Sequence, residues 1–467
     1  EQELFLVDRA CHPANASLGM LERLKDPHYT TELGAFQLEI NLDPQGFGGD
    51  CLSRMERQLE DLVARARLTA HELGLEVVLT GILPTIRKSD LGLESMVPLA
   101  RYKALNDATT RLRGDSYYIH IRGVDELRAQ HDSVMVEACN ASFQTHLQVG
   151  AREFANAYNI AQVVTGPVLA AATNSPLLWG RRLWAETRIA LFEQAVDSRN
   201  PGQAREMAPR VTFGNRWVER SVIELYKEDI ARFRALVGTD LDEDPLAEIA
   251  AGRAPALKAL RLHNGTIYRW NRACYGITNG KPHLRIENRV LPSGPSTIDE
   301  IANGAFWLGL MNGLMRRHED ITKVFEFEQA KQNFVAAARL GLGSHMSWLG
   351  GKEVPSPVLI ADHLIPIAAE GLDAAGITPA DRDKYLGVIE RRVRSGRTGS
   401  RWLMFSLGAM KDHGTQGERL NALTAATIAR QADGAPVDDW APARLDEGGG
   451  WKQNYLKVEQ YMTTDLY

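Results

Sequence analysis

The stretch Phe36-Gln37-Leu38-Glu39-Ile40-Asn41-Leu42 constrains the fold more than any other part of the chain. Its apolar residues recur at every second position, the period of a half-buried strand, because successive side chains point to opposite faces. Glu39 therefore stands inside an otherwise apolar strand, with Gln37 on the same face. A carboxylate there needs a partner, since an unpaired buried charge costs several kcal/mol. A magnesium ion would supply one, and so would a buried arginine. The same tension returns in His283-Leu284-Arg285-Ile286-Glu287-Asn288-Arg289-Val290. Arg285, Glu287 and Arg289 share one face there, and Leu284, Ile286, Asn288 and Val290 the other. Such a charged row suits an anionic substrate held through metal, or a salt-bridge ladder on a solvated sheet face.

Periodicity places these strands among helices. Phe5 to Val7 reads as a buried strand, and Leu75 to Leu79 as another. Between them Leu52, Met55, Leu59, Leu62, Val63 and Ala66 recur at three and four, predicting an amphipathic helix from Cys51 to Leu73, stopped by Gly74. A helix over Leu99 to Leu112, strands over Ser116 to Ile121 and Ser142 to Val149, and helical character from Trp217 to Leu260 come next along the chain. After Pro295 the pattern is helical almost to the end. The basic run 391–399, with Arg397 and Gly399 in it, reads as a mobile loop. Strands mixed irregularly with helices, rather than alternating with them, favour an α+β fold with an antiparallel sheet.

At 467 residues the chain can bury a large core, and one catalytic unit is as consistent with that length as two domains. A net charge of -5 without a dense Lys/Arg block argues against a nucleic-acid partner. No apolar run reaches the ~18 residues of a membrane span, and no signal peptide opens the sequence, so a cytoplasmic protein without a membrane partner is expected. Cys11, Cys51, Cys139 and Cys274 lie far apart without a CxxC pair and read as free thiols.

Two further segments carry possible chemistry. Glu1-Gln2-Glu3 puts two acids on one strand face, where they can hold hard cations or merely face solvent. Thr145-His146-Leu147-Gln148-Val149-Gly150 puts His146 and Gln148 on one face, although a lone strand histidine is more often a satisfied core residue than a ligand.

Taken together and in this order, the four segments resemble the glutamate-cysteine ligase superfamily, including the carboxylate-amine ligases of its second bacterial branch. Glu1 to Asp8 is similar to the family's opening strand, whose alternating glutamates bind magnesium. Glu32 and Glu39 match the next acidic pair, His146 the histidine of the central strand, and Ile286-Glu287-Asn288-Arg289 the Ile-Glu-x-Arg segment. The resemblance thus implies a metal-binding set of Glu1, Glu3, Glu32, Glu39, His146 and Glu287, with Arg289 facing phosphates and Arg285 assisting. Asn174-Ser175-Pro176, with Arg182 and Arg188 downstream, is similar to the loop and helix near the amino-acid carboxylate. Gln148 joins this substrate-binding set as the same-face neighbour of His146. Leu147-Gln148 departs from the family where its closest bacterial members carry a second histidine.

The resemblance also implies a glutamine synthetase-like fold over residues 1–467, a curved, mainly antiparallel sheet forming a funnel with helices outside and a largely helical portion from about 296. Two or more Mg2+ ions, with Mn2+ as a substitute, and ATP as co-substrate would join a carboxylate to an amine through an acyl phosphate. The acid would be glutamate, the amine cysteine or another amine, and a homo-oligomer is compatible. A lid at Arg391 to Arg401 would keep water from the intermediate. Two rival readings use the same residues: a small-molecule kinase, and a non-catalytic nucleotide or amino-acid sensor.

Overall fold

The computed structural model describes residues 1–114, 116–199, 207–238 and 242–449. Strands β1 (Gln2–Val7), β2 (Tyr29–Thr31), β3 (Gln37–Ile40) and β4 (Glu76–Val78) form an antiparallel sheet in the order β2-β3-β1-β4. Glu3 lies opposite Glu39 in this register. Two strands, β5 (Tyr117–Arg122) and β6 (Glu126–His131), make a separate hairpin. The next strand, β7 (Thr145–Val149), pairs with a long hairpin from later in the chain. Two short pairs come between: β8 (Leu177–Leu178) with β9 (Arg181–Arg182), and β10 (Val211–Thr212) with β11 (Tyr268–Arg269), the latter parallel.

Strands β12 (Asn271–Thr278) and β13 (Lys281–Asn288) form that long hairpin and, with β7, a sheet in the order β12-β13-β7. Asn279 and Gly280 close the hairpin, with φ of 51° and 74°. Positive φ at both central residues is what a two-residue turn matching the strand twist demands, and Asn-Gly tolerates it best. That turn fixes the hairpin register and so sets Glu287 opposite Arg272, while the separate pairing of β13 with β7 sets it opposite His146. The two sheets meet where β1 begins. Glu3 N donates to Ser142 O at 3.0 Å and Gln144 N to Glu1 O at 2.8 Å, so the acid-bearing strands lie edge to edge.

Each strand divides its side chains between two environments. Leu4, Leu6, Leu38, Ile40 and Ile286 are fully buried in one core, with Leu147, Val149 and Leu284 packed against it. Helices α1 (Ser17–Leu24) and α2 (Cys51–Glu72) cover this face, α2 with Leu52, Leu59, Leu62 and Val63 as its periodicity predicts. Beyond them, α3 (Ala100–Arg113) is an outer helix, whereas α4 (Phe154–Ala172) is buried along nearly its whole length. Next in the chain come α5 (Thr187–Ala195), α6 (Ile223–Arg232), α7 (Pro245–Ala250), α8 (Lys258–Asn264) and the central α9 (Thr297–Arg317). A second core gathers Phe5, Val7, Phe36 and Val78 with Tyr117, Ile119 and Met135. It covers the opposite face only beyond Glu3, leaving the acidic end of the strands uncovered by apolar packing.

The chain after Pro295 departs from uniform helix. Following α10 (Phe327–Leu340), strands β14 (His345–Trp348) and β15 (Lys352–Pro355) turn through Gly350 and Gly351, with φ of 78° and 73°. A short α11 (Ser356–Val358) passes through a π-helical turn into α12 (Ile365–Ala374). Within the middle segment 217–260, expected to be helical by period, Pro245 starts α7 because proline can open a helix but cannot continue one.

The expected loop at Arg391 to Arg401 is corrected by the structure. α13 (Pro379–Ser395) runs through most of it, Gly396 caps that helix at φ 69°, and Thr398 opens α14 (Gly399–Ala409) by accepting a hydrogen bond from Arg401 N. Arg392 is 1 % exposed and bridges Asp299 and Asn303, both at 2.6 Å. The basic residues are a helix C-terminus and a buried tie to α9, not a lid. The last described α-helix is α15 (Gln416–Asp433), whose Gln431 binds the β4 end through Leu79. No described helix is long and apolar enough to cross a membrane.

Candidate active site

Two clusters of potential ligands share the uncovered face. Glu1, His146 and Glu287 offer ligand atoms within 4.8 Å of one another, and so do Glu3, Glu32 and Glu39. The strand register explains this convergence, because Glu3 pairs across with Glu39 and His146 with Glu287.

In the first cluster His146 Nε2 lies 3.0 Å from Glu1 and 3.9 Å from Glu287. Glu287 is 1 % exposed and held by two guanidinium groups, Arg272 at 2.8 Å and Arg289 at 3.2 Å. Cys274 donates its thiol to the same carboxylate at 3.2 Å. Burial would push Glu287 up, but Arg272 and Arg289 outweigh it and hold the carboxyl below its ordinary range. Burial opposes ionisation of Glu1 as well, and there the imidazole of His146 prevails in the same direction.

The second cluster is electrostatically different. Glu3 accepts hydrogen bonds from Ser142 N at 2.6 Å, Ser142 Oγ at 2.9 Å and Gln144 Nε2 at 3.1 Å. Asn41 Nδ2 donates to Glu39 at 2.7 Å. Among the described residues none of the three carboxylates forms an ion pair. Burial, and then the charge of Glu39, push Glu3 up. Burial followed by Glu3 and Glu39 drives Glu32 well above the carboxylate range. Three converging carboxylates that repel one another and lack a cation fit a hard divalent ion, which takes oxygen ligands. The first cluster, with one imidazole, suits the same ions or a softer metal.

Arg285 and Arg289 flank the clusters on different sides. Arg285 lies opposite Gln148 and lines, with Glu1, His146 and Gln148, a cavity of about 560 Å³. Phe47, Met55, Phe143 and Leu308 give that cavity apolar walls. Arg289 faces a narrow cleft of about 20 Å³ shared with Glu3, Glu137 and Arg188. Its Nη1 is buried and makes no hydrogen bond, so a donor is left pointing at whatever enters.

Other sequence candidates take other positions. Arg188 is buried, 3.3 Å from Glu186, and donates to the carbonyls of Arg289 and Val290. Asn174 is buried and donates to Ser293 O at 2.8 Å, while its own N–H binds Glu186. Arg188 thus holds the backbone that presents Arg289, and Asn174 the loop that follows it. Arg182 is not brought to the site. It is exposed and grips Asp125 with two bonds of 2.8 and 3.0 Å at the edge of a separate cleft.

Three contributors were not picked out from the sequence. Arg272 and Cys274 alternate on β12 beside Glu287, a period-two signal that Asn279-Gly280 would have supported. Glu137 stands in the run Val134-Met135-Val136-Glu137-Ala138, the same acid-among-apolar signal that marks Glu39. Burial, then the charge of Glu3, push Glu137 up to about 7.

The sequence pattern of glutamate-cysteine ligase family 2 matches residues 1–426, which include every residue of both clusters. The chain belongs to glutamate-cysteine ligase family 2. Membership in this ligase family supports ATP-dependent joining of a carboxylate to an amine. The fold agrees with it: a crystal structure of glutamate-cysteine ligase from Francisella tularensis in complex with AMP superposes with a TM-score of 0.54. The alignment spans 99% of this chain and 93% of that one at 13% identity, which makes the likeness one of fold. No curated protein matches the sequence. Within the family pattern, Leu147 turns its side chain to the core, so His146 is the histidine that β7 directs to the clusters.

Proposed function

We propose that this family member joins the γ-carboxylate of glutamate to the amine of cysteine or another amino acid or amine, at the expense of ATP and through an acyl phosphate. The observation that carries the reading is the convergence of six potential ligands in two clusters, with Arg285 and Arg289 beside them. We read residues 1–467 as one catalytic unit, working in the cytoplasm, with the acid-bearing sheet curved into a glutamine synthetase-like funnel.

A carboxylate is a poor electrophile, so amide formation in water requires a better leaving group. A carboxylate oxygen of the acid attacks the γ-phosphorus of ATP, and ADP leaves. The amine nitrogen then attacks the acyl carbon, loses a proton to water, and inorganic phosphate departs. In this scheme Glu1, His146 and Glu287 hold one Mg2+ or Mn2+, and Glu3, Glu32 and Glu39 another. Bound there, such ions draw charge off the phosphate oxygens and so ease phosphoryl transfer.

The protein's own residues do the positioning. The 560 Å³ cavity has the volume and apolar walls for a nucleotide, so we place ATP there, phosphates toward Glu1, His146 and Arg285. Arg289, tied to Glu287 by Nε and anchored through its carbonyl by Arg188, keeps Nη1 to meet the transferring phosphoryl group. Arg272 and the Cys274 thiol fix the Glu287 carboxylate so that its charge does not swing with substrate entry.

Full-length protein incubated with magnesium-ATP, glutamate and a panel of amines tests the reading. ADP release that depends on the amine, with a product mass of glutamate plus amine minus water, is the expected result. A phosphorylated product formed without amine would establish the kinase instead. Tight nucleotide binding without ADP across the panel would replace the ligase by a sensor.

A further inference from the structure

The cleft that takes Arg182 away from the catalytic face has features of its own. It measures about 400 Å³, within the range of small-molecule sites, and lies between the β8–β9 hairpin and the α14–α15 corner. Its two walls are more than two hundred residues apart in sequence and are tied by Gln416 Nε2 donating to Gly180 O at 2.7 Å. The cleft therefore exists only in the folded chain.

Its lining is basic in a protein whose net charge is -5. Arg181, Arg182, Lys411 and Arg419 surround it against one carboxylate, Asp125. Asp125 is gripped by Arg182: the guanidinium hydrogen bonds, burial opposing them, the Arg182 N–H and, less, the charges of Arg182 and Arg181 hold it down to about 2. Among the described residues, Arg181, Lys411 and Arg419 form no ion pair. Arg419 Nε is buried without a hydrogen bond, while its Nη1 donates to Lys411 O. Glu418, the nearest acid on α15, turns back onto Thr415, accepting its N–H at 2.7 Å as a helix cap, and does not line the cleft. Four cations against one carboxylate leave an excess of like charge that repels, and a multiply charged anion relieves that repulsion. Met404 and Leu407 complete the wall and offer apolar contact beside the cations.

We propose that this cleft is a second binding site, separate from the acidic face, for an organic phosphate carrying two or more negative charges. Its phosphate group contacts Arg181, Lys411 and Arg419, and its less polar portion rests on Met404 and Leu407.

The probe is inorganic pyrophosphate, titrated calorimetrically into the full-length protein in EDTA at about 0.15 M salt, where exposed charges are largely screened. Wild type is expected to bind it. The double variant R181S/K411S, altered only at exposed side chains, is expected to bind at least about tenfold more weakly, as two lost charge-assisted contacts require. The same variant keeps the wild-type melting temperature and ligase turnover, and R289A binds pyrophosphate as wild type does. Absence of binding, or binding lost in R289A and kept in R181S/K411S, overturns the proposal. So does loss of turnover in R181S/K411S, which would make the cleft part of the catalytic machinery.

Discussion

Replacing Glu39 by Gln should stabilise the protein in the absence of metal while removing its activity. Glu39 raises the protonation of Glu3 and Glu32 through its charge, and the three carboxylates lie within 4.8 Å of one another. Two unit charges at that outer separation repel by roughly 3.5 kcal/mol at an effective dielectric constant of about 20. Partial exposure and protonation of the neighbours reduce this, leaving a gain of about 1 to 2 kcal/mol for E39Q. The amide oxygen of Gln still accepts the hydrogen bond from Asn41, so no buried donor is orphaned. In EDTA the melting temperature should rise by about 2 to 4 °C. Saturating Mg2+ should then raise the wild-type melting temperature, as a ligand of the native state must, and raise that of E39Q much less. Turnover should fall by roughly 100-fold or more. The reasoning is refuted if E39Q melts below wild type in EDTA, or if Mg2+ shifts both proteins equally.

Arg289→Lys keeps the charge but loses the fork that serves Glu287 and an incoming phosphoryl group together, so kcat should drop on the order of 100-fold with KM little changed. Unaltered steady-state kinetics would remove Arg289 from the reaction. Glu300, fully buried in the first turn of α9, is pushed up to about 8, chiefly by burial. A folded-state value above the ordinary 4.5 means stability present below pH 4.5 and lost as pH rises through about 8, roughly 3 kcal/mol of it by pH 7. E300Q should therefore flatten the urea-midpoint profile between pH 5 and 8 and be more stable at pH 8; parallel profiles would contradict this. Arg392→Met leaves Asp299 buried without its cation and should cost about 3 to 5 kcal/mol by chemical denaturation, whereas a loss under about 1 kcal/mol would show that segment to be loosely packed.

Strand periodicity made the acid-bearing sheet readable because it reports burial directly. Leu38 and Ile40 alternate with Gln37 and Glu39, and both members of the pattern ended where the alternation put them. The same logic put His146 with Gln148, and Glu287 with Arg285 and Arg289, each on one face of its own strand, without telling that the two strands are neighbours, since register is set by pairing that no single segment encodes. Arg182 and the 391–401 run mark the limit. Arg182 was placed by family resemblance and the run by its basic composition, yet Arg182 is claimed by Asp125, 57 residues earlier, and Arg392 by Asp299, 93 residues earlier. An arginine's partner is a tertiary fact. The caps Gly396 and Thr398 were readable as helix punctuation and give a stronger signal than the basic residues around them.

The acid-bearing strands also show how such a site can exist before any cation arrives. The residues that alternate with the ligands, Leu4, Leu38, Ile40 and Ile286, are fully buried, and each contributes about 1.5 to 3 kcal/mol by leaving water. One carboxylate pair on the other face opposes folding by an energy of the same order. Because the two faces belong to the same strands, the apolar face fixes the spacing at which the carboxylates must stand, and they relieve their repulsion by taking up protons or a divalent ion rather than by moving apart. Protons and metal therefore compete for the Glu3, Glu32 and Glu39 cluster, and metal affinity should rise with pH as its raised carboxyls give up their protons.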